Sequence, residues 1–343
     1  MAGNGQSTIN AIWYERSFRA WLLLPLSVVY WFVTVVRRGF YLFGLFRSFR
    51  LEVPVVVVGN LTVGGTGKTP VTIWLVKELQ ARGYRPGVVS RGYHGNVGSA
   101  PLPVLSHSDP ASVGDEPVLI AERCNCPVVV HPDRVAAGQL LIEQGVDVIV
   151  SDDGLQHYRL CRDLELCVVD GARGFGNGFL LPAGPLREAV SRLRQVDAVL
   201  VNDQGDSTSV DTLNGNSVER FRLTPGLLSR MDGSGEQALS ALSGTRVHAV
   251  AAIGNPGRFF ATLRAHGVDV IEHPLPDHAA LHQSDLVFDD ECPVIVTEKD
   301  AVKCRHIDAG HVWVLPVDAD FASVVWLDEL LGNTPGLEQG ARD

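Results

Sequence analysis

The chain has 343 residues, enough for about two domains, and its 45% apolar and 20% charged composition excludes a disordered, collagen-like or coiled-coil chain. A formal charge of -10 argues against a protein that coats nucleic acid, so no nucleic-acid partner is expected. The average hides an asymmetry. Residues 1–50 hold six Arg against one acid, Glu15, and 12 of the 25 aromatics, whereas the rest holds 23 basic and 38 acidic residues. A basic, aromatic-rich end on an acidic protein points to a membrane surface.

The first candidate element is residues 20–36, AWLLLPLSVVYWFVTVV, an uncharged run between Arg16 and Arg19 on one side and Arg37 and Arg38 on the other. As a helix it spans ~25 Å, short for a ~30 Å hydrocarbon core, and Pro25 is expected to kink it. The repeated charged flank and the lack of a small-residue cleavage site make a signal peptide a poor reading. Apolar character resumes at 40–46. Three readings stand: a spanning helix, a helix pair lying in one leaflet, and a helix buried in a soluble core.

Residues 53–59, VPVVVVG, read as a buried parallel strand. NLTVGGTGKTP follows, and then a periodic stretch in which Val71, Trp74, Leu75 and Leu79 share a helical face that Gly83 ends. Gly64-Gly65-Thr66-Gly67-Lys68-Thr69 thus sits between a strand and a helix, the context a phosphate-binding P-loop requires. Glycines let backbone N–H groups converge on phosphate oxygens, and the helix N-terminus adds positive potential. The expected nucleotide contacts are Leu61, Thr62, Val63, Gly64, Gly65, Thr66, Gly67, Lys68 and Thr69. Lys68 reaches phosphate and the Thr69 hydroxyl binds Mg²⁺. Thr62 stands where the general pattern has Gly.

CPVVVHPDRVAAGQLLIEQG reads strand, turn, helix, with Arg134 in the first helical turn, where it either faces phosphate or is exposed. VDVIVSDD (146–153) is a further buried strand ending in Asp152 and Asp153, candidates for Mg²⁺ at the carboxyl edge of the sheet. Strands at 164–170 and 196–203 flank a long Gly/Pro loop, 174–188, of a length that tends to be functional. Beyond a polar stretch after 203, strands at 248–253, 293–300 and 312–318 and a helix before 267 indicate a second α/β unit. The six cysteines carry no CxxC pair; Cys124 and Cys126 have no matching pair elsewhere, so ordinary reduced thiols in a cytosolic compartment are expected.

The expected architecture is a P-loop NTPase-like, doubly wound parallel α/β sheet with a second, smaller α/β domain and an N-terminal membrane-associated helix. The expected segments are 1–50, 51–205 and 206–343.

Eight motifs occur in order: GNLTVGGTGKTP (59–70), SRGYHG (90–95), GDEP (114–117), HPDR (131–134), SDDGLQH (151–157), LLPAGPLRE (180–188), PLPDH (274–278) and TEKDAVK (297–303). Together they resemble the tetraacyldisaccharide 4'-kinases of Gram-negative bacteria over nearly the whole chain. Thr62 is also what that family's loop looks like. The resemblance implies transfer of the γ-phosphate of ATP, with Mg²⁺, to the 4'-hydroxyl of a tetraacylated glucosamine disaccharide 1-phosphate in lipid A biosynthesis. It places the enzyme on the cytoplasmic face of the inner membrane, with an acylated disaccharide lipid and the membrane surface as partners. It implies that Asp115 is the general base and His278 its partner from the second domain. It also implies that Lys68 and Thr69 hold phosphate and Mg²⁺, and that Asp152 and Asp153 surround the metal and the lysine. Arg134, Gln156 and Arg187 are weaker candidates. His282, four residues after His278, is expected to share a helical face with it. Two other classes stand beside this one, a P-loop GTPase or regulatory ATPase and a membrane-anchored nucleotide-binding adaptor. TEKD places its lysine one position late for a guanine-reading motif.

Overall fold

A computed structural model describes residues 9, 11–15, 17–92, 98–203, 217–305, 307 and 311–338. Tyr93, His94 and Gly95 of the SRGYHG motif and the 205/206 boundary lie outside these residues.

Helix α1 (Phe18–Leu42) is a single 25-residue helix, capped by the Ser17 hydroxyl, that carries Pro25 inside it. It is the one described helix long and apolar enough to cross a membrane. It is not a core helix, because only 11% of its apolar window is buried. Residues 40–46 do not form a second helix paired with it, because residues 40–42 extend the same helix and the chain turns at Phe43 and Gly44.

Next come β1 (Val55–Gly59), α2 (Lys68–Ala81), β2 (Pro86–Ser90), β3 (Leu102–Val104), α3 (Asp115–Cys124), β4 (Val128–Val130), α4 (Arg134–Glu143), β5 (Val148–Asp152), β6 (Leu164–Asp170), β7 (Ala198–Asn202) and β8 (Ser217–Pro225). Seven strands run parallel in the order β8-β7-β6-β1-β5-β2-β4, with β3 antiparallel on the outer edge of β4. Apolar side chains fill both faces, as a parallel sheet covered on both sides requires. On one face Val56 and Val58 pack with Val71, Leu75 and Leu79 of α2 and Val118 of α3. On the other, Val55 and Val57 pack with Val135 and Leu141 of α4.

The chain then leaves this sheet for a smaller one. Its elements are β9 (Leu228–Arg230), β10 (Glu236–Gln237), β11 (Arg246–Ala251), α5 (Pro256–Ala265), β12 (Asp269–Pro274), β13 (Val294–Thr297), α6 (Glu298–Ala301) and β14 (Val312–Leu315), in strand order β10-β9-β14-β13-β11-β12. It returns through β15 (Val317–Phe321), antiparallel on β8, and α7 (Val325–Gly332), whose Trp326 and Leu327 join the first core.

Two readings of the sequence change here. VWVLPVD is two strands in two sheets, because Pro316 lacks an N–H and ends the β14 ladder. TEKD is strand only at Thr297, whose hydroxyl accepts from the Asp300 N–H and starts a helical turn at Glu298. By sheet membership, the strands at 217–225 and 317–321 belong to the larger sheet, and the strands of the smaller sheet lie between 228 and 315. The two crossings lie side by side, where the Gly226 N–H donates to the Pro316 carbonyl at 3.0 Å.

Candidate active site

The carboxyl ends of β1, β2, β5, β6 and β7 all point to one edge, where a parallel sheet collects its functional loops. A cavity of about 1100 Å³ opens there, lined by the P-loop, α1, the 181–188 loop and the smaller domain.

The loop after β1 divides into two halves. In the first, the Val63 N–H donates to the Pro185 carbonyl at 2.9 Å and the Leu61 carbonyl accepts from the Arg187 N–H at 2.7 Å. Thr62 bridges to Leu186. Leu61, Thr62 and Val63 thus pair with the 185–187 segment, and Val63 also lines the cavity. The second half is the cradle. Gly64 and Gly67 have φ of 110° and 98°, a conformation open to glycine and strained for other residues. Gly67 caps α2, so the helix N-terminus faces the loop. Asn60 and Asn202 brace it, donating to the Thr66 hydroxyl and carbonyl, each at 3.3 Å.

Lys68 Nζ lies 3.7 Å from Asp153 Oδ1, and Arg187 grips both Asp153 oxygens at 2.9 and 3.1 Å. Burial opposes ionisation of Asp153, but Lys68 and Arg187 outweigh it and hold its carboxyl well below the usual range. Asp152 is different. It is 1% exposed, and the hydroxyls of Thr72 and Ser90 donate to it at 3.2 and 3.4 Å. Burial, with the charges of Glu116 and Asp153, pushes its pKa up to about 7. Arg134 is not exposed, and it lines the cavity. It is buried, and its guanidinium donates to the Ser151 hydroxyl at 3.2 Å and the Asp153 carbonyl at 3.0 Å, bracing the Asp-Asp-Gly turn. Gln156 donates to the Asn60 carbonyl at 3.1 Å and to Glu188 at 3.3 Å.

The hard oxygen set around the cradle, the Thr69 hydroxyl with the buried Asp152 carboxylate, fits Mg²⁺. The positive-φ glycines at an open helix N-terminus fit the phosphates of ATP.

The opposite wall comes from the smaller domain and brings three distant motifs together. His278 has φ 59°, which turns its ring back on Asp115, with Nδ1 3.1 and 3.2 Å from the two carboxylate oxygens. Lys303 Nζ stands 3.5 Å from Asp115 and donates to Asp300 at 2.8 Å and to the Ala252 carbonyl at 3.2 Å. Lys299 bridges Glu116 at 2.9 Å and Asp277 at 3.9 Å. Burial opposes the Asp115 charge, but the His278 hydrogen bond and the nearby Lys299 and Lys303 overcome it, so its carboxyl stays well below the usual range. The hydrogen bond to Asp115 raises the His278 pKa in turn. Sequence reasoning named Asp115 and His278 but passed over Glu116, Asp277, Lys299 and Lys303. Each lies inside a quoted motif, so its place in GDEP, PDH or TEKDAVK was the available signal. His282 does not share a helical face with His278, because residues 279–282 are not helical.

Asp170, at the end of β6, forms an ion pair of 2.7 Å with Arg258 of α5. Beside it the backbones meet: a Cβ on Gly254 stands 3.0 Å from the Gly65 nitrogen and 3.0 Å from Asp277 Oδ2. We expect Gly254→Val to push the domains apart by about 1 Å and lower kcat on the order of 10²-fold at saturating ATP. Steady-state kinetics check this, and an unchanged kcat refutes the tight approach.

The family model described as tetraacyldisaccharide-1-P 4'-kinase matches residues 19–333. The chain belongs to this family. It is 51% identical over 315 residues to the tetraacyldisaccharide 4'-kinase of Alkalilimnicola ehrlichii, covering 91% of this chain and 93% of the relative. It is 47% identical over 313 residues to that of Nitrosococcus oceani, covering 91% and 90%. The crystal structure of LpxK from Aquifex aeolicus in complex with ATP is similar at a TM-score of 0.77 and 29% identity, covering 92% of this chain and 98% of that one. The chain is thus an ATP-dependent kinase, and its fold is that of the family.

Proposed function

We propose that this chain phosphorylates the 4'-hydroxyl of a tetraacylated disaccharide 1-phosphate, with Asp115 as the general base. The observation that carries this reading is the cleft itself. A phosphate cradle forms one wall, a carboxylate held ionised beside an imidazole forms the other, and an apolar helix lies at the rim.

The acceptor hydroxyl gives its proton to Asp115 while its oxygen bonds to the γ-phosphorus, and the bond to the β-bridging oxygen breaks, leaving ADP with the electron pair. His278 and Lys303 orient Asp115 and hold it ionised. Lys68 stabilises charge on the transferred group, and Asp153 with Arg187 keeps Lys68 extended toward it. Thr69 and Asp152 would hold Mg²⁺, which when bound neutralises phosphate charge. The grip of Lys68 and Arg187 leaves Asp153 to the lysine, so we assign the metal to Asp152. The test is transfer of labelled γ-phosphate from ATP to purified disaccharide 1-phosphate in detergent with Mg²⁺. ATP bound without labelled lipid refutes the reading.

We also infer that α1 lies in the membrane surface on the cytoplasmic side rather than across it. One side of α1 is tied along the body. The Ser27 hydroxyl donates to the Leu180 carbonyl at 2.8 Å, Tyr30 to the Arg187 carbonyl at 3.1 Å and Arg37 to the Gln156 carbonyl at 3.3 Å. Arg38 donates to Gln195. Each of these two arginines thus makes a hydrogen bond to the body of the protein. The other side exposes Trp21, Leu22, Leu26, Val29 and Phe32. A helix fastened along its length supports an in-plane anchor that brings a lipid headgroup to the cleft. Trp21→Glu with Phe32→Glu is expected to weaken vesicle binding by about 10²-fold or more, at ~1.5–3 kcal/mol per side chain, and to leave ATP affinity unchanged. Vesicle flotation with an ATP titration checks this, and unchanged flotation counts against it.

A further inference from the structure

A second cluster of metal-ligating side chains lies in the smaller domain, and none of its members lines the cleft. His248 on β11 is buried, with Nε2 3.0 Å from Asp290 Oδ1. Its Nδ1 lies 2.8 Å from Nε2 of His273 on β12. The Phe288 ring stacks on His248, with centroids 3.7 Å apart and planes at 2°. The backbone N–H of Cys292 donates to the same Asp290 oxygen at 3.0 Å, which folds thiol and carboxylate into one turn. A ligand atom from each of His248, Asp290 and Cys292 lies within 4.8 Å of the other two. This turn enters β13 at the end opposite Thr297, so the cluster sits away from the kinase chemistry.

We propose that His248, Asp290 and Cys292 form a binding site for a borderline transition-metal cation such as Zn²⁺, separate from the Mg²⁺ site. Imidazole, thiolate and carboxylate are the donors Zn²⁺ takes, whereas Mg²⁺ demands oxygen and keeps its waters. Three protein ligands leave a fourth tetrahedral position to water. A ligating histidine usually gives its other ring N–H to an acceptor, which fixes the tautomer, and His273 Nε2 stands at that place. Phe288 holds the imidazole plane by packing, so the ring is ordered before a cation arrives. The bound cation would fasten the 288–292 turn to β11 and stabilise the smaller domain. Cys292 has no cysteine partner in the sequence. Strand pairing, not spacing, brings His248 to it.

The test is titration of the full chain with Co²⁺ in excess Mg²⁺, which fills oxygen sites without competing for thiolate. One equivalent is expected to bind with a thiolate-to-cobalt charge-transfer band and tetrahedral d–d bands, and Zn²⁺ displaces it. Cys292→Ser removes the charge-transfer band. His273→Phe keeps the band and weakens Co²⁺ by about 10–100-fold. Asp290→Asn, at an exposed position and with an amide oxygen that still accepts from the Cys292 N–H, weakens it by tenfold or more. Zn²⁺ raises the thermal midpoint of the wild type and not of Cys292→Ser. No band in the wild type at one equivalent of Co²⁺ overturns the proposal. So does a band that survives Cys292→Ser, which assigns the thiolate to another cysteine, or unchanged affinity in Asp290→Asn.

Discussion

Asp115→Asn is expected to lower kcat for lipid phosphorylation by about 10²–10⁴-fold while ATP binding stays within a factor of about two. The asparagine keeps the shape and a hydrogen bond to His278 but loses the proton acceptor. Asp115 is 6% exposed and held by His278 at 3.1 Å and Lys303 at 3.5 Å, so no water replaces the lost oxygen without rearrangement. The pH profile adds a signed prediction. Because its partners depress the Asp115 pKa, the base is ionised throughout the neutral range and contributes no acid limb to kcat/KM there. His278→Ala removes the largest of the influences that lower this pKa and leaves burial, which raises it. An acid limb is therefore expected to move up toward neutrality in that variant. The stability sign agrees. A depressed carboxylate stabilises the fold above its unfolded pKa, and that contribution is lost as pH falls through the folded value. An acid limb unmoved in His278→Ala removes His278 from this role.

Lys68→Met is expected to reduce kcat by about 10²–10³-fold or more and to weaken ATP binding, because a cation aimed at developing charge is lost. The fold should survive. Asp153 keeps both Arg187 contacts, so the carboxylate is not left buried without a partner. A thermal midpoint within a few degrees of wild type, together with the activity loss, distinguishes a chemical role from a structural one. Retained lipid phosphorylation in Lys68→Met would show that the loop binds nucleotide without supplying this charge.

Much of this was legible in the chain. The β-branched runs that became β1, β5, β6 and β7 are buried on both faces, so their apolar continuity survives in one dimension. The glycines of the cradle announce themselves because few other residues tolerate φ near 100°. The sequence thus determined a strand–loop–helix that holds phosphate, an apolar helix at one end, and the ordered motifs that mark the family.

The tertiary structure decided the rest, because the deciding contacts join residues far apart in the chain. Asp115, His278 and Lys303 meet only where two sheets face each other. Asp152 and Asp153, adjacent in sequence, part at the strand end, one into the sheet with Thr72 and Ser90 and the other toward Lys68 and Arg187. Periodicity gives α1 its length. Its hydrogen bonds to the 180–187 loop, Gln156 and Gln195 fix which side faces the body. Local patterns record what each residue prefers near its chain neighbours, and electrostatics and packing across the cleft depend on distances that only the fold sets.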